Sequence, residues 1–217
     1  MTELYAFLDK LAVNNNREWF AAHKAEYERL RRGWTAEVQK LIDLMAQYDR
    51  SLAYVDAKDC LYRIYRDTRF SPDKTPYKSY FSALISPTGR HCDRACYYIH
   101  IGAEESAIYG GVWCPESKML RKLRRAIVDN VEEFRSITET PDIEREFPGW
   151  YGTKLKTAPK GYDRDHPDID LLRLTEYGKG HLFDRSFFDR DNWQQDVADL
   201  FALLKPMNDF LNYSIDE

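Results

Sequence analysis

Nothing in this 217-residue chain approaches the roughly 20 consecutive apolar residues that a membrane-spanning helix needs, so no membrane partner is expected. Its first ten residues, MTELYAFLDK, hold two acids and no apolar signal core, which argues against a secretory leader and predicts a cytoplasmic protein. Cysteine is scarce. Cys60, Cys92, Cys96 and Cys114 are too few for a secreted disulfide scaffold and are expected as free thiols. His91-Cys92 followed by Cys96 resembles half of a zinc site, but no second pair completes four ligands, so no metal is expected. A Walker loop, a nucleophile elbow, an HExxH pair and paired metal carboxylates are all missing, so no motif assigns a reaction class or a cofactor. The chain also lacks low-complexity tracts and internal repeats, and 43% hydrophobic with 31% charged residues describes one folded domain over 1–217. A cationic excess is absent too: the formal net charge is -4, against the broad basic face that coating long nucleic acid requires. A small anion needs only a pocket.

What is present is a local reversal of that charge. Cys60 to Ser86, CLYRIYRDTRFSPDKTPYKSYFSALIS, sets Arg63, Arg66, Arg69, Lys74 and Lys78 against only Asp67 and Asp73. Tyr62, Tyr65, Phe70, Tyr77, Tyr80 and Phe81 interleave with the cations, a composition suited to stacking on planar groups or to a half-buried sheet face. Alternation over 60–66 and 79–86 predicts two strands, with Ser71-Pro72-Asp73 and Thr75-Pro76 forcing turns between them. The plainer reading of the same residues is a set of sheet-edge charges in which Asp67 and Asp73 neutralise two arginines.

Around this stretch, Leu4, Phe7, Leu8 and Leu11 predict a helix over 3–12 capped by Thr2, and Asn15 to Glu18 reads as a capping box opening a second helix. Trp19, Phe20, His23, Tyr27 and Leu30 continue the apolar stripe, which resumes after Gly33 through Trp34, Val38, Leu41, Ile42 and Met45; His23 reads as a core or boundary histidine rather than a ligand contact. Residues 95–101 and 107–113 predict a hairpin that places Tyr98 and His100 on one face and Tyr97, Ile99 and Ile101 on the other. Gly110-Gly111-Val112-Trp113-Cys114-Pro115-Glu116 reads as a strand-to-helix junction, which either forms a second wall of an anion site at the helix N-terminus or uses its glycines only to clear room for Trp113. Residues 137–170 read as an ordered excursion carrying a second basic cluster at Lys154, Lys156 and Lys160, before a late strand over 174–183. A final helix through Trp193, Val197, Leu200, Phe201 and Leu204 is expected to break near Pro206. The expected fold class is α+β, a mainly antiparallel sheet packed against N-terminal helices and a C-terminal helix.

The segments NNNREWF (14–20), YRDTRFSPDKTPYK (65–78), YYIHI (97–101), GGVWCPE (110–116) and LKTAPKGYDRDHPDIDLLR (155–173) resemble, in order, those of the domain of unknown function 2461 family of bacteria and fungi. The resemblance implies a single intracellular α+β domain and carries no catalytic residue across. The family often has a third glycine before the tryptophan, where this chain has Val112.

Function is read from the cations. Arg63, Arg66, Arg69, Lys74 and Lys78 are expected to converge with Lys156, Lys160 and His100 on one concave surface that binds a small phosphate-bearing, nucleotide-like anion. A phosphate-ester enzyme of hydrolase or nuclease type would use the same site, with His100, Asp67 or Glu116 as acid–base groups. A third reading makes the basic face a docking module for an acidic protein partner.

Overall fold

The computed structural model describes residues 1–217. The helices are α1 (Thr2–Val13), α2 (Arg17–Ala22), α3 (Lys24–Met45), α4 (Ala57–Cys60), α5 (Ser117–Asp129), α6 (Val131–Thr138), α7 (Pro141–Glu146), α8 (Ile169–Leu172) and α9 (Trp193–Asp216). The strands β1 (Tyr80–Ile85), β2 (Cys96–Gly102), β3 (Ser106–Val112) and β4 (Tyr177–Phe183) form one antiparallel sheet in the order β1-β2-β3-β4, and the fold class is α+β. The chain divides into two compact units, the first made of 1–91, 98–108 and 182–199 and the second of 92–97, 109–181 and 200–217. No helix is long and apolar enough to cross a membrane.

In the first unit, helical periodicity decides the core. Leu4, Phe7, Leu8 and Leu11 of α1 and Leu30, Trp34, Val38, Leu41, Ile42 and Met45 of α3 are all buried. Each such side chain contributes about 1.5–3 kcal/mol by leaving water. Tyr27 bridges α3 to β1 through Phe81, ring centroids 5.7 Å apart. The cap of α1 is Met1, not Thr2, whose hydroxyl donates instead to Asp189 Oδ1 at 3.2 Å. The cap of α2 is Asn16, one residue later than the capping-box reading: its side chain accepts from Trp19 N at 2.9 Å. Asn15 is thereby released for other work. Its amide accepts from Tyr77 N at 3.0 Å and donates to Tyr77 O at 2.9 Å, fastening the basic stretch to the helical layer. Gly33 does not interrupt α3; the chain bends at His23, whose ring stacks on Trp19 at 3.9 Å and whose Nδ1 donates to Trp19 O.

Residues 60–66 are not a regular strand, contrary to the alternation. They lie antiparallel to 76–83 through Arg66 N to Pro76 O, Lys78 N to Ile64 O and Tyr62 N to Ser82 O. Tyr65 pairs with Tyr77 but Leu61 pairs with Ala83, so a four-residue step on one side faces a six-residue step on the other. That mismatch breaks the ladder, and Pro76 has no N–H to extend it.

In the second unit, the glycine pair is a seat for other elements. A Cβ on Gly110 would stand 2.6 Å from Leu204 Cδ1 of α9, and one on Gly111, at φ +133°, would stand 2.2 Å from Tyr177 O of β4. The glycines therefore do not make room for Trp113, which is 54% exposed. The helix α9 runs unbroken through Pro206, against expectation. Proline in a helix interior costs about 3 kcal/mol. Phe201, Leu204, Met207 and Leu211, all at 0% exposure on either side of it, gain about 1.5–3 kcal/mol each. Burial wins, while Pro206 itself faces solvent. Asn212 completes the attachment by accepting from Ala95 N at 2.9 Å and donating to Ala95 O at 3.1 Å.

Candidate anion-facing site

The five cations of the basic stretch separate into two groups. Arg66 Nη1 donates to the Asp73 carboxylate and to the Thr75 hydroxyl, and reaches Thr75 O at 3.2 Å. Arg69 is bidentate on Asp67, through Nε at 3.0 Å and Nη2 at 2.6 Å. Lys74 Nζ donates to Thr68 O at 2.9 Å. These contacts close the 66–75 loop upon itself. Asp67 is held down to about 2 by its side-chain bond from Arg69, and Asp73 to about 2 by the Thr75 amide and then Arg66. Both carboxylates are ionised partners of arginine, so Asp67 carries no proton for acid–base work near neutral pH. Phe70, at the loop tip, is 93% exposed.

Lys78 is placed differently. Its backbone N–H is bonded to Ile64 O at 2.8 Å, which fixes the side chain on the half-buried face of the sheet. There Nζ lies 5.0 Å from the ring centroid of Tyr62 and 5.5 Å from that of Tyr80, in cation–π contact with both. No carboxylate forms an ion pair with it. Burial, and then the charge of Arg63, lower its pKa below the usual lysine range. Arg63 itself is exposed.

His100 extends the same face. The alternation in β2 holds: Tyr97, Ile99 and Ile101 are buried on one side, while Tyr98 and His100 are half-buried on the other. The His100 ring lies 5.6 Å from Tyr80 and 5.7 Å from Tyr98, and Tyr98 lies 6.4 Å from Tyr62. Its Nε2 is 3.6 Å from Glu105 Oε1. Burial lowers the pKa of His100, opposed by the Glu105 charge and a backbone hydrogen bond to Glu105, so the imidazole is held toward its neutral form. One lysine, one histidine and three tyrosines thus form a continuous patch. It offers a cation for an oxyanion, flat faces for a planar group, and a neutral imidazole able to accept a proton.

The remaining sequence-predicted residues stand elsewhere in the chain. Glu116 is the exposed N-cap of α5 and makes no side-chain capping bond; it belongs to the second unit. So do Lys156 and Lys160, both exposed, Lys156 lending its backbone oxygen to Arg173 Nη2 at 3.3 Å. A cleft of about 360 Å³ in the first unit is lined by Tyr54, Val55, Asp56, Asp59 and 87–91, none of which is among the sequence-predicted site residues. No group of three or more His, Cys, Asp and Glu side chains is gathered to hold a metal ion. Cys60 and Cys96 are buried thiols, and burial pushes Cys60 up to about 11.

Two buried cations escaped the sequence reading. Lys179 of β4 is 4% exposed; Nζ donates to Gly149 O at 3.0 Å and Phe147 O at 3.4 Å and lies 4.7 Å from the Trp150 ring. Arg124 of α5 is 6% exposed. Each carried a signal: Lys179 is two residues from buried Tyr177 and so on its strand face, and Arg124 lies on the Leu120–Leu123–Ile127 stripe.

The model of a family described as conserved hypothetical protein (DUF2461) matches residues 3–210, and the chain belongs to that family. No curated protein and no solved structure matches it.

Proposed function

We propose that this member of the DUF2461 family binds a small phosphate-bearing ligand with a planar, nucleotide-like group on the Lys78 face, with Arg63 and His100 beside it. The observation that carries the reading is the Lys78 ammonium, half-buried between Tyr62 and Tyr80 with no carboxylate paired to it. A desolvated cation without a counter-charge is costly, and an oxyanion offsets that cost through charge-assisted hydrogen bonds. Tyr62, Tyr80 and Tyr98 supply aromatic faces of the kind on which bases stack, each such contact contributing about 1–3 kcal/mol. Arg66, Arg69 and Lys74 shape the neighbouring loop through their internal bonds rather than meeting the ligand directly.

Thermal-shift measurements with inorganic phosphate, AMP and ADP test this. The expected result is a rise in Tm that is larger for the nucleotides than for phosphate and is lost in Lys78→Met. The variant's own Tm should not fall, because no ion pair is broken. A wild-type Tm unmoved by all three probes, or a Lys78→Met protein that responds like wild type, contradicts the reading.

A further inference from the structure

The cleft of about 360 Å³ in the first unit falls within the range of about 300–1,000 Å³ usual for small-molecule sites, and no residue of the Lys78 face lines it. One wall is α4 with the residues just before it; the other is the 86–91 turn that follows β1. The turn is held by its own bonds: Gly89 N donates to Ser86 O at 3.0 Å, Ser86 Oγ to Gly89 O at 2.6 Å, and Thr88 Oγ1 to His91 O at 2.8 Å. The two walls meet at one atom. Asp59 O accepts from Arg90 N at 2.9 Å and from Arg90 Nη1 at 3.3 Å. Gly89, at φ +64°, allows this approach, since a Cβ there would stand 2.6 Å from Asp59 O. The cleft is therefore formed before any ligand arrives, and binding carries little ordering cost.

Its charges are left open. Elsewhere in the first unit exposed arginines close on a neighbouring acid: Arg29 on Glu3, Arg69 on Asp67 and Arg185 on Asp9, each at 2.6 Å. The Arg90 guanidinium instead reaches only the backbone oxygen of Asp59, and the Asp59 carboxylate, on the adjoining wall, pairs with no cation. Asp56 stands three residues before Asp59 and so on the same side of the turn. It accepts from Lys58 N at 2.8 Å, and its remaining neighbour is the exposed Lys58 Nζ at 3.9 Å. A simple anion entering here would meet two carboxylates, and a simple cation would meet the guanidinium. A molecule carrying both signs satisfies both walls. Val55, Pro87 and the fully exposed ring of Tyr54 add apolar surface to the same cleft.

We propose that this cleft is a second ligand site, which takes the zwitterion of a small α-amino acid with an apolar side chain. The free N–H groups of Arg90 form the planar fork that a carboxylate closes with two parallel hydrogen bonds. Asp59 and Asp56 receive the ammonium group, and Tyr54, Val55 and Pro87 cover the side chain. The cleft shares no residue with the Lys78 face, so either site can fail without the other.

Three probes with one ring and different charges test this on the full wild-type chain: L-phenylalanine, phenethylamine, which lacks the carboxylate, and 3-phenylpropionate, which lacks the amine. Amide NMR titration is the readout. L-Phenylalanine is expected to shift the Gly89 and Arg90 amides saturably, and each single-charge probe should bind about tenfold more weakly or worse. Arg90→Gln and Asp59→Asn each remove one exposed charge and leave the Asp59 backbone oxygen in place; each should weaken L-phenylalanine by about tenfold. Arg90→Gln should also weaken 3-phenylpropionate without weakening phenethylamine, and Asp59→Asn should do the reverse. The proposal is overturned if L-phenylalanine does not move these amides saturably, if either single-charge probe binds as tightly as the amino acid, or if both variants bind it like wild type. The comparison of probes on the wild-type chain decides even where a variant fails to fold.

Discussion

At Lys78 and Arg69 the same kind of charge has opposite environments, and partnership separates them. Arg69 is bidentate on Asp67 at the surface, whereas Lys78 has two tyrosine rings and no acid. The loop pairs are testable without any ligand. The Arg69 N–H donates to Asp67 and the Thr75 N–H to Asp73, so their NMR shifts report carboxylate ionisation. Both should titrate with midpoints of about 2, the values to which these acids are lowered. Acids depressed in this way contribute stability above their unfolded pKa of about 4 and lose it as pH falls toward 2. Midpoints near the ordinary carboxylate value would mean that the pairs do not form. His100 acts in another window. Its pKa is lowered by burial, so the unfolded chain binds the extra proton, and stability is lost as pH falls from the ordinary histidine value through the folded one. Urea denaturation of His100→Phe should therefore show a flatter dependence of unfolding free energy between about pH 5 and 7 than wild type. An unchanged slope would show that His100 is not the titrating group. Composition revealed that cations and tyrosines were interleaved. It could not reveal which cations the loop would consume, because that depends on where Asp67, Asp73 and Thr75 come to rest.

Elements were legible where one periodicity ruled. The stripes of α1 and α3 and the alternation of β2 are both local patterns, and each was matched by burial. Two places resisted. The 60–66 segment alternates like a strand, yet its register against 76–83 slips, a property of two segments jointly. Pro206 reads as a helix breaker, but the apolar side chains around it bind α9 into the second unit more strongly than proline opposes the helix. Glycines offer a graded test of this reading. Gly33 lies within α3 with nothing within 4 Å of an added Cβ, so Gly33→Ala should stabilise by about 0.5–1 kcal/mol. Gly110→Ala would press on the flexible Leu204 side chain and should cost about 1–3 kcal/mol. Gly111→Ala meets backbone at 2.2 Å with φ at +133°, and should cost more, about 4 kcal/mol. Denaturant midpoints that departed from this order would show that the junction is not seated as described.

For the whole molecule, a net charge of -4 sets the background against which any anion must bind. Long-range attraction is weak, so affinity must come from short contacts, and binding should fall only modestly with added salt because the Lys78 contact is half-buried. The family match spans 3–210 and fixes kinship without assigning a ligand, which leaves the site geometry to carry the functional reading. Calorimetric titration of ADP into wild-type, Lys78→Met and Arg69→Ala proteins tests that reading most directly. The account predicts measurable binding to wild type, a loss of about tenfold or more in Lys78→Met, and little change in Arg69→Ala, whose exposed pair with Asp67 contributes little to anything beyond its loop. Binding that survives in Lys78→Met but disappears in Arg69→Ala would place the anion on the loop and contradict the central claim.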